Sequence, residues 1–408
     1  MKINLITFAS SLASRQSVFD DHKELLDKIA ERYDIRYIFP EELGGEEWQE
    51  PTMVFVGSGG VEEAVSANIA KLPPYVLLIA DGLKNSLAAS LEILSWMRMN
   101  GFAGRVLHGS TDYILKGVEK YVASLDALQR IRGKRVGVIG KPSGWLIASS
   151  VKYAEMSKRW GIEMVDVDLQ EVVNAFGRLS KDHAGMATAK ELDIDFSSRV
   201  EPSDDDIEKA SIMYLAVKEV CQKHRLDAFT LNCFDLIPVT HTTGCLALAL
   251  LNQEGTPAGC EGDMQTLLTM LAVNAATGEE CFMANPSKII DNESHEMVFA
   301  HCTIAPSMTD RYVIRSHYES MSGVAIEGIL DECDVTVVKF GGDKMQRSFI
   351  SEAHLLKCTD NPNMCRTQFV LRLDEPLDYF LERSIGNHHV IVRGKHKDLL
   401  EQTFGMLN

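Results

Sequence analysis

The chain has 408 residues, a length that suits two or three domains with sizeable cores. Forty-one Lys and Arg against 58 Asp and Glu leave a formal charge of −17, which disfavours nucleic acid or an anionic membrane as the main partner. With 45% apolar and 24% charged residues, the composition excludes disorder, collagen and a coiled-coil rod.

The first 130 residues alternate short β-rich runs with amphipathic stretches. Ile3–Phe8, Arg36–Phe39, Met53–Val56, Tyr75–Ile79 and Arg105–Leu107 read as strands, and Val18–Tyr33 reads as a helix with Leu25, Leu26, Ile29 and Ala30 on one face. Such alternation predicts a parallel sheet with helices on both faces. The pattern restarts at Arg135–Ile139, with a helix expected over 145–160. A strand follows at Glu163–Val167, a long helix at Asp204–His224 opened by acidic residues, and strands at Ala228–Asn232 and Ala258–Cys260. Helices are expected at Cys245–Asn252 and Met264–Ala276. Beyond about residue 295 short strands crowd together, with a hairpin break at Gly341-Gly342, and indicate an antiparallel sheet or small barrel. The expected fold is therefore α/β: two Rossmann-like parallel-sheet domains, 1–130 and 131–295, followed by a β-rich C-terminal domain, 296–408.

All nine cysteines lie at or after Cys221, the number is odd, and no CxxC occurs. Neither a disulfide framework nor a zinc ribbon is indicated, and thiols inside apolar runs fit a reducing, cytoplasmic setting. Met1-Lys2-Ile3 runs straight into a strand, so no signal peptide is expected, and no apolar run approaches the ~20 residues of a membrane span.

Several segments at strand ends carry polar chemistry. Val56-Gly57-Ser58-Gly59-Gly60 could cradle an anion but lacks the spacing of a dinucleotide or P-loop motif, and a tight turn explains it as well. In Gly140-Lys141-Pro142-Ser143-Gly144-Trp145, Trp145 could stack on a sugar face and Ser143 could donate to a hydroxyl; the alternative is a turn with a buried indole. Asn232 and Asp235 end another strand, where they suit substrate binding and proton transfer or simply a hydrogen-bonded turn. Glu261 and Asp263, in Gly-Cys-Glu-Gly-Asp before a helix, are placed to ligate Mn²⁺ or Mg²⁺ and to move protons, although Asp263 competes as a helix N-cap. His301 lies inside a strand-like run, where a core role competes with ligation. His388 and His389 occupy adjacent strand positions, so at most one can face a given pocket.

Taken in order, Gly-Lys-Pro-Ser-Gly-Trp-Leu at 140–146, Gly-Cys-Glu-Gly-Asp at 259–263, Phe-Met-Ala-Asn-Pro at 282–286, Ala-His-Cys-Thr at 300–303 and Asn-His-His-Val at 387–390 resemble the L-fucose isomerase and L-arabinose isomerase superfamily. The resemblance implies two α/β domains and a β-rich third, aldose–ketose isomerisation through an enediol, a Mn²⁺ (or Mg²⁺) cofactor, and a homo-oligomer with sites between subunits. It makes Glu261 a metal ligand and acid/base. His388, beside Asn387, or else His389 becomes a ligand, with His301 in the position of a further ligand. The family's second carboxylate falls 24 residues after Glu261, where this chain has Asn285. An amide can ligate a hard cation but cannot act as a base. Proton transfer would then fall to Asp235 or Asp263. Two alternatives to isomerisation stay open: aldol-type carbonyl chemistry, or sugar binding without turnover.

Overall fold

The computed structural model describes residues 1–10, 14–44, 48–181 and 184–408. They form two compact units, one of Met1–Asp126 with Glu401–Leu407, the other of Ala127–Leu400 with Asn408.

The first unit is built on five parallel strands: β1 (Lys2–Phe8), β2 (Asp34–Ile38), β3 (Thr52–Val56), β4 (Tyr75–Ile79) and β5 (Ala103–Leu107), in the order β2-β1-β3-β4-β5. Alternate residues of one strand feed opposite faces. Met53 and Phe55 of β3 enter a cluster with Leu25, Leu26 and Ile29, while Val54 and Val56 pack with Val65, Ala89 and Ile93 on the other side. The single helix expected over 18–33 is instead two, Arg15–Asp21 and Lys23–Ala30. His22 between them leaves helical angles, and its buried Nδ1 meets Asp81 Oδ2 at 2.5 Å. A polar group buried there needs its partner more than it needs the helix.

The second unit opens with a parallel sheet of β6 (Arg135–Ile139), β7 (Glu163–Val167), β8 (Ala228–Leu231) and β9 (Ala258–Cys260), ordered β7-β6-β8-β9. The helix expected from Trp145 begins only at Tyr153. Its first half is a series of turns because other segments claim the backbone. Ser143 N–H donates to the Glu261 carbonyl, Lys152 N–H donates to that of Asp343, and Gln265 Nε2 donates to the carbonyls of Ala148 and Ser150. Helices Leu169–Lys181 and Ala184–Glu191, on which the sequence reading is silent, precede the long helix Asp204–His224.

The same unit continues into a closed antiparallel barrel. Its strands are β10 (Cys281–Asp291), β11 (Glu296–His301), β14 (Cys333–Gly341), β15 (Arg347–Cys358), β16 (Thr367–Leu373) and β17 (His389–Arg393), ordered β10-β11-β16-β15-β14-β17, with β17 pairing back onto β10. A separate ribbon, β12 (Arg311–Arg315) with β13 (Ala325–Ile329), interrupts the barrel in sequence. β10 starts ahead of the first strand expected here; Pro286 and the polar run after it hide its pattern. Parallel α/β sheets followed by a β-rich barrel are the fold class expected from the sequence. Among the described residues no helix is long and apolar enough to cross a membrane.

The acidic start of Asp204–His224 is a capping box: Asp206 N–H donates to Ser203 Oγ, and Ser203 N–H donates to Asp206 Oδ2. Ser203→Ala removes one acceptor and is expected to lower stability by about 1 kcal/mol, read as a shifted urea midpoint at unchanged slope.

Candidate metal centre

Three segments distant in sequence converge in the second unit. Glu261 follows β9 in a left-handed backbone conformation (φ +62°), and Gly262 follows at φ +73°. A Cβ at position 262 would lie 2.6 Å from Pro142 Cα, so the turn that presents Glu261 requires glycine here. Asp263 then caps the helix Met264–Thr277, accepting from Thr266 N–H at 2.8 Å. His301 ends β11, and His388 immediately precedes β17.

Glu261, His301 and His388 are all buried, with one potential ligand atom from each inside a 4.8 Å span. Glu261 Oε1 lies 3.4 Å from His388 Nε2 and 3.8 Å from His301 Nε2, and the two imidazole rings are 5.4 Å apart. Trp145 Nε1 donates to the other oxygen, Oε2, at 2.6 Å. Burial would raise the Glu261 carboxyl, but His301 and His388 outweigh it and hold the group well below the usual carboxylate range.

The supports behind the imidazoles decide which nitrogen is offered. His388 Nδ1 is 2.9 Å from Asp263 Oδ2, which fixes the proton on Nδ1 and points Nε2 at the cluster. Among the described residues Nε2 itself is buried without a hydrogen-bond partner, 3.4 Å from Glu261 Oε1. An orphaned imidazole nitrogen facing a carboxylate and a second imidazole is the donor set of a divalent cation, and the residues fit one. His301 Nδ1 shares a hydrogen bond with Thr303 Oγ1 at 3.1 Å, leaving its Nε2 toward the same point. Burial lowers His301, whereas Asp263 and Glu261 overcome burial at His388 and raise it to about 9.

Asp263 is wholly buried and fully engaged. Besides the Thr266 N–H it accepts Thr266 Oγ1–H at 2.8 Å and faces His388, with Lys339 Nζ 3.8 Å away. Burial raises it, but the Lys339 charge and His388 bring it well below its ordinary value. Its chemistry is therefore directed at His388 and the helix cap. His389 goes elsewhere: its Nε2 meets Tyr379 Oη at 3.0 Å and its ring packs near Phe299, Phe349 and Phe380. The adjacent histidines thus face different surroundings, as strand alternation demands.

The remaining candidates lie in other segments of the second unit. Ser143 N–H holds the Glu261 carbonyl, and among the described residues Ser143 Oγ is buried without a partner. Trp145 keeps 55% of its surface exposed, so its indole is not the buried core ring of the alternative reading. Asn232 Nδ2 donates to Asp235 Oδ2 at 2.8 Å, and the exposed Asp235 lines a cavity of about 750 Å³ with Gly140, Lys141, Pro142 and Met264. Asn285 is half-buried on β10, on the same face as Met283, whose sulfur accepts Cys260 N–H at 3.3 Å. Lys339 and His317 were not anticipated. Lys339 sits in the apolar strand Cys333–Gly341, where an ionisable residue inside a buried run was the available signal. His317 lies outside any strand or helix and offered none.

No protein-family model matches the chain. A curated relative, sulfoquinovose isomerase from Alkalicoccus urumqiensis, is 23% identical over 225 residues, which is 53% of this chain and 49% of the relative. The chain spans about half the length of the relative it matches.

Binding of a divalent cation here must displace the proton that His388 carries below pH 9. Mn²⁺ affinity is expected to rise about tenfold per pH unit from neutrality toward pH 9, then flatten, with one proton released per ion in calorimetry in buffers of different ionisation heat. In the metal-free protein the sign is opposite for stability. The folded value of about 9 lies above the ordinary 6.5, so this contribution is complete below pH 6.5 and fades as pH rises through 9. Asp263→Asn is expected to weaken Mn²⁺ by about 10- to 100-fold, because the support behind His388 loses its charge.

Proposed function

We propose that this protein is a metal-dependent aldose–ketose isomerase acting on an open-chain pentose, 6-deoxyhexose or modified sugar through an enediol. The observation that carries this reading is the convergence of Glu261, His301 and the orphaned Nε2 of His388. The likeness to sulfoquinovose isomerase supports the same reaction class.

Glu261, His301 and His388 would hold the cation, Mn²⁺ or Mg²⁺. When bound, it supplies Lewis acidity toward the carbonyl and neighbouring hydroxyl oxygens of the sugar. The chain's own residues do the rest. Ionised Glu261, oriented by the Trp145 N–H, is the carboxylate of the centre left free of a helix cap, and we assign it the proton that moves between C1 and C2. The exposed Trp145 indole offers a flat apolar face to a sugar ring or chain, and Ser143 Oγ a partner for a hydroxyl. Asp235, on the wall of the adjoining cavity, serves a substrate that extends into it. A second reading, sugar binding without turnover, is favoured by one observation: position 285 carries an uncharged amide that cannot accept a proton.

The test is Mn²⁺-loaded protein in D₂O with a panel of aldoses and ketoses that includes sulfoquinovose, followed by NMR. Isomerisation predicts exchange at C2 and interconversion, with Glu261→Gln slower by at least about 100-fold. Sugar binding by calorimetry with no exchange for any sugar would overturn the isomerase reading and leave the second.

A further inference from the structure

His317 lies in the segment joining β12 to β13, and its side chain is nearly buried, at 7% exposure. The segment is tightly tied: His317 N–H donates to the Ser322 carbonyl and Met321 N–H donates to the His317 carbonyl. Ser320 grips the imidazole at one nitrogen only. Its backbone N–H donates to Nδ1 at 3.3 Å, and its hydroxyl, itself 2.9 Å from Ser322 Oγ, lies 3.0 Å from Nδ1. A backbone N–H can only donate, so Nδ1 presents its lone pair and the neutral ring carries its proton on Nε2. Among the described residues, that Nε2–H has no hydrogen-bond partner.

The ring is also linked to the metal centre through two aromatic contacts. It packs edge-on against Phe234 at 5.7 Å, Phe234 packs edge-on against Trp145 at 4.9 Å, and Trp145 donates to Glu261 at 2.6 Å. Burial, His301 and Arg366 disfavour a charge on it and Glu261 favours one, and the net effect holds it below the ordinary imidazole value. A site that gathers two imidazoles and a cation repels a further positive charge, so a donor at this position has to be neutral.

We propose that His317 is a substrate-contacting catalytic residue of the isomerisation, an inference that rests on the reading above. Its neutral Nε2–H donates a hydrogen bond to the sugar oxygen on which negative charge develops as the carbon-bound proton leaves. With an amide at 285, Glu261 is the one carboxylate of the centre assigned to proton transfer, and a neutral donor meets the developing charge without adding another acid. Ser320 is the positioning residue that fixes which nitrogen carries the proton. Nothing in the sequence points to this role, since His317 follows no motif and neighbours no ligand.

The experiment compares the Mn²⁺-loaded wild-type protein with His317→Gln, whose amide N–H reaches the position of Nε2, and His317→Asn, whose shorter amide ends near Nδ1. The inference predicts kcat lower by about 100-fold or more in the Asn variant, and within about tenfold of wild type in the Gln variant. Mn²⁺ affinity and melting temperature are expected to be the same in all three. Equal loss in both variants, a loss below about threefold in the Asn variant, or loss of Mn²⁺ binding together with activity would each overturn it and make His317 structural. Wild-type protein that exchanges no sugar C2–H is a separate outcome: it removes the isomerase reading and this inference with it. Activity in the wild type with an unimpaired Asn variant removes the inference alone.

Discussion

A carboxylate with no solvent exposure is costly, and Asp263 is tolerated because every direction around it answers its charge. Thr266 supplies a backbone and a hydroxyl donor, His388 supplies Nδ1–H, and Lys339, itself wholly buried, supplies a positive charge at 3.8 Å. Lys339 Nζ in turn donates to Thr266 Oγ1 at 2.6 Å. The one residue therefore starts the helix Met264–Thr277 and sets the orientation of His388. Through Lys339 it also ties that helix to barrel strand β14. The arrangement links the α/β sheet to the barrel at the point where the chemistry is placed.

The remaining geometry follows from this link. Glu261 is presented two residues earlier by a left-handed turn that only Gly262 can complete against Pro142. Its oxygens are divided between an indole N–H and two imidazoles, so the carboxylate is oriented as well as ionised. Buried thiols pack behind the ligands. Cys233 and Cys260 place their sulfurs 2.8 Å apart beneath Glu261, and Cys302, next to His301, packs with Cys245. All nine cysteines are free; burial raises the Cys221 and Cys281 thiols, whereas the contact with Cys365 lowers Cys302.

Much of the second unit was legible because its signals are local. The β6 and β9 strands, the helix Asp204–His224 and the turn before Met264 are written in short apolar runs and caps. The elements that escaped notice depend on distant partners. The stretch 145–152, expected to be helical, surrenders its backbone to Gln265 and Asp343, and β10 is masked by Pro286 and its polar neighbours. The sequence leaves Asp263 open as cap or site residue, and it is both, because a cap uses one oxygen and leaves the other for His388.

By itself the sequence determined the fold class, the strand ends that carry polar groups, and the rule that His388 and His389 cannot share a pocket. Periodicity and capping act over a few residues and need no tertiary partner. Only the tertiary structure decided that His388 rather than His389 faces Glu261, that His301 joins them, and that Lys339 stands behind Asp263. Those assignments depend on barrel closure and on which buried charge finds which partner, and such contacts join residues from 40 to 125 positions apart.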